Sequence, residues 1–322
     1  MVDRPDFSVI IPFYNNSAHL ADTLASVSHQ DVGSDRIETI IVDDYSENSE
    51  ARRLSELAEE SDLNCRVVRQ PENKGPGHAR NRGFRESTGK WIAFLDADDR
   101  LYPHKLSSQV DLLKQDGVDA VISDFEKKKN EELFEIIKYS WALKEGEAFT
   151  PALAIRCGIQ LGSILLKRDT IKDLNGFRTM RLGQDKDFFV QSVISGHRWV
   201  YQSGVVSEYC LRDESISAEE LNYLKKTLKR PILLLALKEL RRRNMLDSDS
   251  SKVLADKFLI EARRWAAYGY WDCANKRHSL AKQLDPNVQL RSKPFFRVFS
   301  RMVGFLPAEK IRYFINAIIR RS

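Results

Sequence analysis

The sequence has no apolar run long enough to cross a bilayer, and residues 1–6 show no basic-then-apolar leader. Cysteine is scarce. The four in 322 residues, Cys65, Cys157, Cys210 and Cys273, lie far apart with no CxxC pair, which argues against a zinc cluster or a disulfide scaffold and favours a reducing compartment. Internal repeats and low-complexity tracts are absent, as are the glycine spacings of a Walker loop or a dinucleotide fingerprint. What remains is an ordinary globular chain, 42% hydrophobic, able to bury a substantial core as one large domain or two smaller ones. It is expected in the cytoplasm, either free or peripheral on the cytoplasmic face of a membrane.

The net charge of +5 is unevenly distributed. Residues 291–322 carry eight Lys/Arg against Glu309 alone, whereas the rest of the chain is slightly acidic. An excess confined to one end points to an anionic surface there, and not to a nucleic-acid-binding protein. Phe295, Phe296, Phe299, Phe305 and Phe314 interleave with Arg297, Arg301 and Arg312 in an amphipathic pattern. Such a tail either lies on an anionic membrane or packs on its own domain or on a second subunit.

Residues 7–12 and 36–42 are β-branched runs that read as buried strands, and residues 17–27 between them repeat Leu20, Leu24 and Val27 at helical spacing, with Ser17 as the expected cap. Strands are expected again at 65–69, 91–95, 118–123 and 162–166, with helices around 54–57 and 78–84. Strand alternating with helix predicts an α/β fold with a mostly parallel sheet covered on both faces. The charged stretch 126–132 breaks the alternation and is expected to be an insertion or a lid. From residue 218 the pattern becomes helical, through 221–246 and 252–284, so the domains are placed at 1–217 and 218–322.

In such a sheet ligands bind beyond the carboxyl ends of the strands, and polar residues cluster there: Tyr14-Asn15-Asn16, Asp43-Asp44 and Asp96-Ala97-Asp98-Asp99. Carboxylates packed that closely repel one another unless solvent or a hard cation offsets the charge; Mg²⁺ or Mn²⁺ would complete its shell with substrate phosphates. Taken alone, the run reads more readily as an acidic surface turn, and Asp43-Asp44 equally as a solvated one. Residues 73–83, Asn-Lys-Gly-Pro-Gly-His-Ala-Arg-Asn-Arg-Gly, bring Lys74 and Arg80 to a helix start suited to phosphate, while His78 reads as a helix-surface residue. Asp185 follows Gly183 at another helix start, as a simple cap or as a general base. Asp187, about 200° further round that helix, would face elsewhere.

Taken together, these strings resemble the family-two inverting glycosyltransferases of the GT-A fold. They are Ser-Val-Ile-Ile-Pro-Phe-Tyr-Asn at 8–15, Ile-Val-Asp-Asp-Tyr-Ser at 41–46, the 73–83 segment, Phe-Leu-Asp-Ala-Asp-Asp at 94–99 and Gly-Gln-Asp-Lys-Asp-Phe at 183–188. The resemblance spans residues 6–217 and leaves the helical remainder unmatched. It implies a nucleotide-diphosphate sugar donor, a UDP-sugar, with Pro12, Tyr14 and Asp44 on the nucleoside. Asp96 and Asp98 would serve the metal and the sugar diphosphate, with Asp99 a further metal contact and Arg212 on the diphosphate. Asp185 would be the base that deprotonates a hydroxyl of a glycan or lipid-linked glycan acceptor, in cell-surface polysaccharide synthesis. The family usually has Glu-Asp where this chain has Gln184-Asp185, a departure that leaves a nucleotide-sugar-binding scaffold without turnover as the alternative. A glycosidase would need two carboxylates flanking the bond and no nucleotide pocket. A nucleotidyltransferase would carry a glycine-rich, lysine-containing signature that residues 7–17 lack.

Overall fold

The computed structural model describes residues 5–180, 183–211, 232–289, 305 and 307–310. By contacts between backbone positions the chain divides into two units, Met1–Thr150 with Cys157–Ala218, and Pro151–Arg156 with Glu219–Ser322.

The first unit is built on a sheet. In chain order its elements begin with β1 (Phe7–Phe13), α1 (Ser17–Ser28), β2 (Ile37–Asp43), α2 (Asn48–Glu60), β3 (Asn64–Arg69), α3 (Pro76–Glu86) and β4 (Trp91–Phe94). The four strands lie parallel in the order β3-β2-β1-β4, with Phe7 opposite both Ile37 and Trp91. Every residue of β1 and β2 is buried, as helices on both faces require. On one face Val9, Ile11 and Phe13 pack with Leu20, Leu24 and Val27 of α1. On the other, α3 approaches so closely that a Cβ on Gly83 would lie 2.4 Å from the Ile10 side chain, which explains a glycine in mid-helix. The cap of α1 differs by one residue from expectation: Asn16 takes the cap position without a side-chain bond, and the Ser17 N–H donates to Glu50 at 2.9 Å.

Beyond β4 the sheet becomes mixed. The following elements are β5 (Arg100–Leu101), α4 (Lys105–Leu113), β6 (Ala120–Lys129), β7 (Glu132–Ile137), α5 (Pro151–Arg156, grouped with the second unit), β8 (Ile164–Lys167), α6 (Arg168–Asp173), α7 (Gln184–Ile194) and β9 (Trp199–Leu211). β8 runs antiparallel to β4 and β6, β9 parallel to β6, and β5 antiparallel to β9. The stretch 126–132, expected as an insertion or a lid, is the tip of a β-hairpin: β6 continues through Lys129, turns at Asn130 and Glu131 with φ of 50° and 65°, and returns as β7. Its charges are compatible with a strand because ion pairs hold them. Lys128 bonds Glu208 at 2.6 Å and lies 3.2 Å from Glu126, and Arg100 pairs with Glu131 at 2.7 Å.

The second unit is helical: α5 with α8 (Ile232–Arg242), α9 (Ser248–Ala267) and α10 (Trp271–Leu284). The expected run 252–284 is thus two helices, separated at Gly269, whose φ is +78°. Asp247 caps α9 by accepting from the Ser250 N–H at 2.7 Å. Leu254, Phe258 and Ala262 form the buried stripe of α9. Of the basic tail, Phe305 stacks on His278 with ring centroids 4.3 Å apart, and Ala308 is buried. Apart from 305 and 307–310, residues 291–322 lie outside the described residues, as do the boundary at 217/218 and Arg212. Among the described residues no helix is long and apolar enough to cross a membrane.

Candidate active site

The strand ends of the parallel half converge, as expected, with the starts of α3 and α7. Asp44, just past β2, is only 3% exposed. Its carboxylate accepts from Gln70 Nε2 at 2.6 Å, from the Lys74 N–H at 2.9 Å and from the Gly75 N–H at 2.7 Å. It therefore fixes the loop that enters α3. Neighbouring Asp43 is buried, accepts from the Ser46 N–H and faces Arg69 at 3.5 Å. Tyr14 is exposed, Pro12 is buried opposite Val42 in the sheet, and the Lys74 ammonium is turned to Glu72 at 2.7 Å.

Arg80, one turn into α3, is buried yet reaches Asp96 through Nη2 at 2.5 Å. Its guanidinium lies 5.7 Å from the Phe177 ring centroid, Nη1 stands 3.5 Å from Gln184 Oε1, and Nε is buried with no hydrogen-bond acceptor among the described residues. A buried cation at a cavity wall is suited to an anion, although the Nε–H itself is enclosed. The cavity itself, of about 420 Å³, is lined by Arg80, Asp96 and Asp185 together with Phe125, Lys127 and Ile137 of the hairpin.

Asp185 sits in the first turn of α7, after Gly183 at φ +79°. Asp187, in contrast, is buried beside Arg178, and burial pushes its carboxyl above the usual range while Arg178 opposes the rise. The two carboxylates thus separate as the helical angle predicts. Gln184, the departure from Glu-Asp, is buried, donates to the Met180 carbonyl, and lies so near α3 that a Cβ on Gly77 would come within 2.7 Å of its amide.

Asp96 and Asp98 are both half-buried in the turn after β4. The expectation that Asp99 contacts a metal meets an enclosed side chain, 0% exposed, whose oxygens accept from the Cys210 N–H at 2.9 Å and from Gln160 Nε2 at 2.8 Å. Burial, and then Asp98 and Asp96, raise its pKa well above the ordinary value. Among the described residues no three His, Cys, Asp or Glu side chains are grouped as a complete protein cage for a metal. A pair of half-buried carboxylates nevertheless suits Mg²⁺ or Mn²⁺, which bind through one or two carboxylates and leave the rest of the shell to phosphates and water.

Arg80, Asp96 and Asp185 therefore share one cavity. Pro12, Tyr14, Asp44, Lys74, Asp98 and Asp99 do not line it, although Asp44 shapes the loop at its edge. Sequence reasoning did not identify Gln160, which clamps Asp99 and accepts from Ser207 at 3.0 Å, nor Phe177 beneath Arg80, nor the hairpin wall. A lone glutamine or phenylalanine carries no local signal, and Glu-Leu-Phe-Glu-Ile-Ile at 132–137 lacks the strict alternation that announces a half-buried strand.

The sequence pattern of Glycosyl transferase family 2 matches residues 8–209. An uncharacterized glycosyltransferase of Haemophilus influenzae is 25% identical over 284 residues, 85% of this chain and 91% of that protein. The minor teichoic acid biosynthesis protein GgaB of Bacillus subtilis is 26% identical over 66% of this chain, which spans only 24% of GgaB. Among solved structures, S. aureus TarS 1-349 in complex with UDP-GlcNAc superposes with a TM-score of 0.70 at 16% identity, covering 95% of this chain and 89% of TarS 1-349. The mannosyltransferase PcManGT of Pyrobaculum calidifontis, in complex with GDP-Man and Mn²⁺, gives 0.59 at 19% identity, covering 99% and 87%. These likenesses identify the mostly parallel sheet flanked by helices as the GT-A fold. With its family pattern running through more than half its length, the chain belongs to Glycosyl transferase family 2 and is a glycosyltransferase.

Proposed function

We propose that the protein transfers a sugar, with inversion, from a UDP-sugar to a hydroxyl of a glycan or lipid-linked glycan in cell-surface polysaccharide synthesis, working in the cytoplasm or on the cytoplasmic face of the membrane. The observation that carries this is the cavity in which Asp185 lies with the Arg80–Asp96 couple. UDP-GlcNAc in TarS supports the nucleotide, and GgaB supports the polymer context. Asp185 accepts the acceptor proton as that oxygen attacks the anomeric carbon. Asp96, oriented by Arg80, holds the sugar-diphosphate end of the donor, and the Arg80 guanidinium at the cavity wall supplies positive charge beside it. Tyr14, Pro12 and Asp44 form the nucleoside side, with Lys74 at the rim; Arg212 is assigned to the diphosphate from its position in the sequence. Asp98, with Asp96, is suited to hold Mn²⁺ or Mg²⁺, which when bound neutralises charge on the departing nucleoside diphosphate. Asp99 remains a candidate for that metal only if its bonds to Cys210 and Gln160 open.

Asp185→Asn tests the assignment. Transfer should fall by about 10²–10⁴-fold, the range for loss of a general base, while calorimetric affinity for UDP-sugar stays within about twofold. Undiminished turnover in the variant would remove Asp185 from the mechanism. Donor binding without transfer in the wild type would favour the scaffold.

A further inference from the structure

We propose that the β6–β7 hairpin is the acceptor track of this site, that Phe134 is its outer sugar-stacking residue, and that the acceptor is therefore an oligosaccharide of two or more units. This rests on the glycosyltransfer reading above. The cavity lining holds Arg80 and Asp96, assigned above to the donor, and a bank of hairpin residues, Phe125, Lys127 and Ile137. That bank gives an acceptor hydroxyl at Asp185 a wall to lie along.

Register then determines how that bank continues. Ile137 lies opposite Phe125 and Glu135 opposite Lys127, so both face the cavity side, whereas Ile136, opposite Glu126, faces away. Lys128 pairs with Leu133, which leaves Phe134 as the extra residue of a bulge, carried beside Glu135 as a second residue opposite Lys127. Phe134 is 66% exposed, the most exposed large apolar side chain among the described residues. From Ile137 to Phe134 the strand runs about 10 Å, room for two linked sugar rings. Its chemistry fits them in order: an apolar step at Ile137 and Phe125, the Lys127–Glu135 pair at 2.7 Å as donor and acceptor for hydroxyls, then an aromatic face.

Charge identifies the occupant. Residues 126–138 hold four lysines and four glutamates, so nothing there draws an anionic lipid surface or a phosphate polymer, and a neutral hydroxylated chain is favoured. The track is also rigid from behind. Tyr102 donates to Glu126 at 2.5 Å, Lys128 bonds Glu208, and Arg100 bridges Glu131 to Asp22 at 2.7 and 2.6 Å. A preformed wall loses little entropy when a flexible sugar chain docks.

The experiment measures UDP release from a panel of UDP-sugars, alone and with glucose, galactose or N-acetylglucosamine and their linear oligomers of two to four units. At least one oligomer should show a KM about five- to tenfold below its monomer, as one aromatic stack provides. Phe134→Ser should erase that advantage while leaving monomer kinetics and acceptor-free UDP release unchanged, and Ile136→Ser, on the other face, should retain it. The track is overturned if no oligomer outperforms its monomer, or if Phe134→Ser keeps the advantage. No UDP release from any donor would instead remove the UDP-sugar reading on which the track rests, and the track with it.

Discussion

Gly77 and Gln184 show how single residues set this site. The Gln184 amide occupies the space where a Cβ at position 77 would stand, 2.7 Å away, and that amide links α7, which carries Asp185, to Arg80. Gly77→Ala should gain about 0.5–1 kcal/mol of helix propensity, which offsets part of the cost of displacing a flexible amide, so the urea midpoint should shift little. The donor KM should rise severalfold because Arg80 loses its neighbour. Adding Gln184→Ala, which empties the contested space, should leave the Gly77→Ala change without further effect; equal increments in both backgrounds would show that the two residues act independently. At this scale the sequence was legible where geometry is local. Helical angle separated Asp185 from Asp187, and strand-end position brought Asp96 to the cavity. Gln160 and Phe177 could not be read, because their roles depend on Asp99 and Arg80, distant in sequence.

At the scale of elements, β1 and β2 were legible because buried parallel strands are continuous β-branched runs, whereas edge strand β3, with Asn64, Arg66 and Arg69 exposed, was legible only through Val67-Val68. The hairpin was not, since its charges look solvated until Arg100, Lys128 and Glu208 are seen to neutralise the back of β6. Arg100 is the hub of that bracing, within reach of Asp22, Glu131 and Glu208. Its partners Asp22 and Glu131 are exposed, so Arg100→Gln should cost no more than about 1 kcal/mol of global stability. Its local effect should be larger: amide exchange across 126–137 should accelerate, and acceptor KM should rise while donor KM stays constant. Exchange unchanged in the hairpin would mean that the backbone ladder with β9, and not the ion pairs, holds it.

At the scale of the whole molecule, the sequence leads one to expect a sheet domain at 1–217 and a helical one at 218–322, and each described unit buries an ionisable group, Lys105 in one and Glu309 in the other, whose titrations oppose each other. In the sheet unit Lys105 is 0% exposed, donates to the Ile164 carbonyl at 2.9 Å, and is pushed down to about 7 by burial. Its folded pKa lies below the ordinary 10.5, so its contribution to stability is complete above that value and is lost as pH falls towards 7. In the helical unit burial pushes Glu309 up to about 7, against the pull of Arg263 at 3.3 Å. Raised above 4.5, it contributes stability that is complete below that value and lost as pH rises through 7. Each pH unit inside a window is worth at most about 1.4 kcal/mol. Hydrogen exchange corrected for its intrinsic rate should therefore show β1 gaining protection from pH 7 to 10 and α9 losing it from pH 5 to 7. Lys105→Met should flatten only the first dependence and Glu309→Gln only the second. If either substitution flattens both, the units open together, and the division of the chain into two halves describes its contacts without describing its cooperativity.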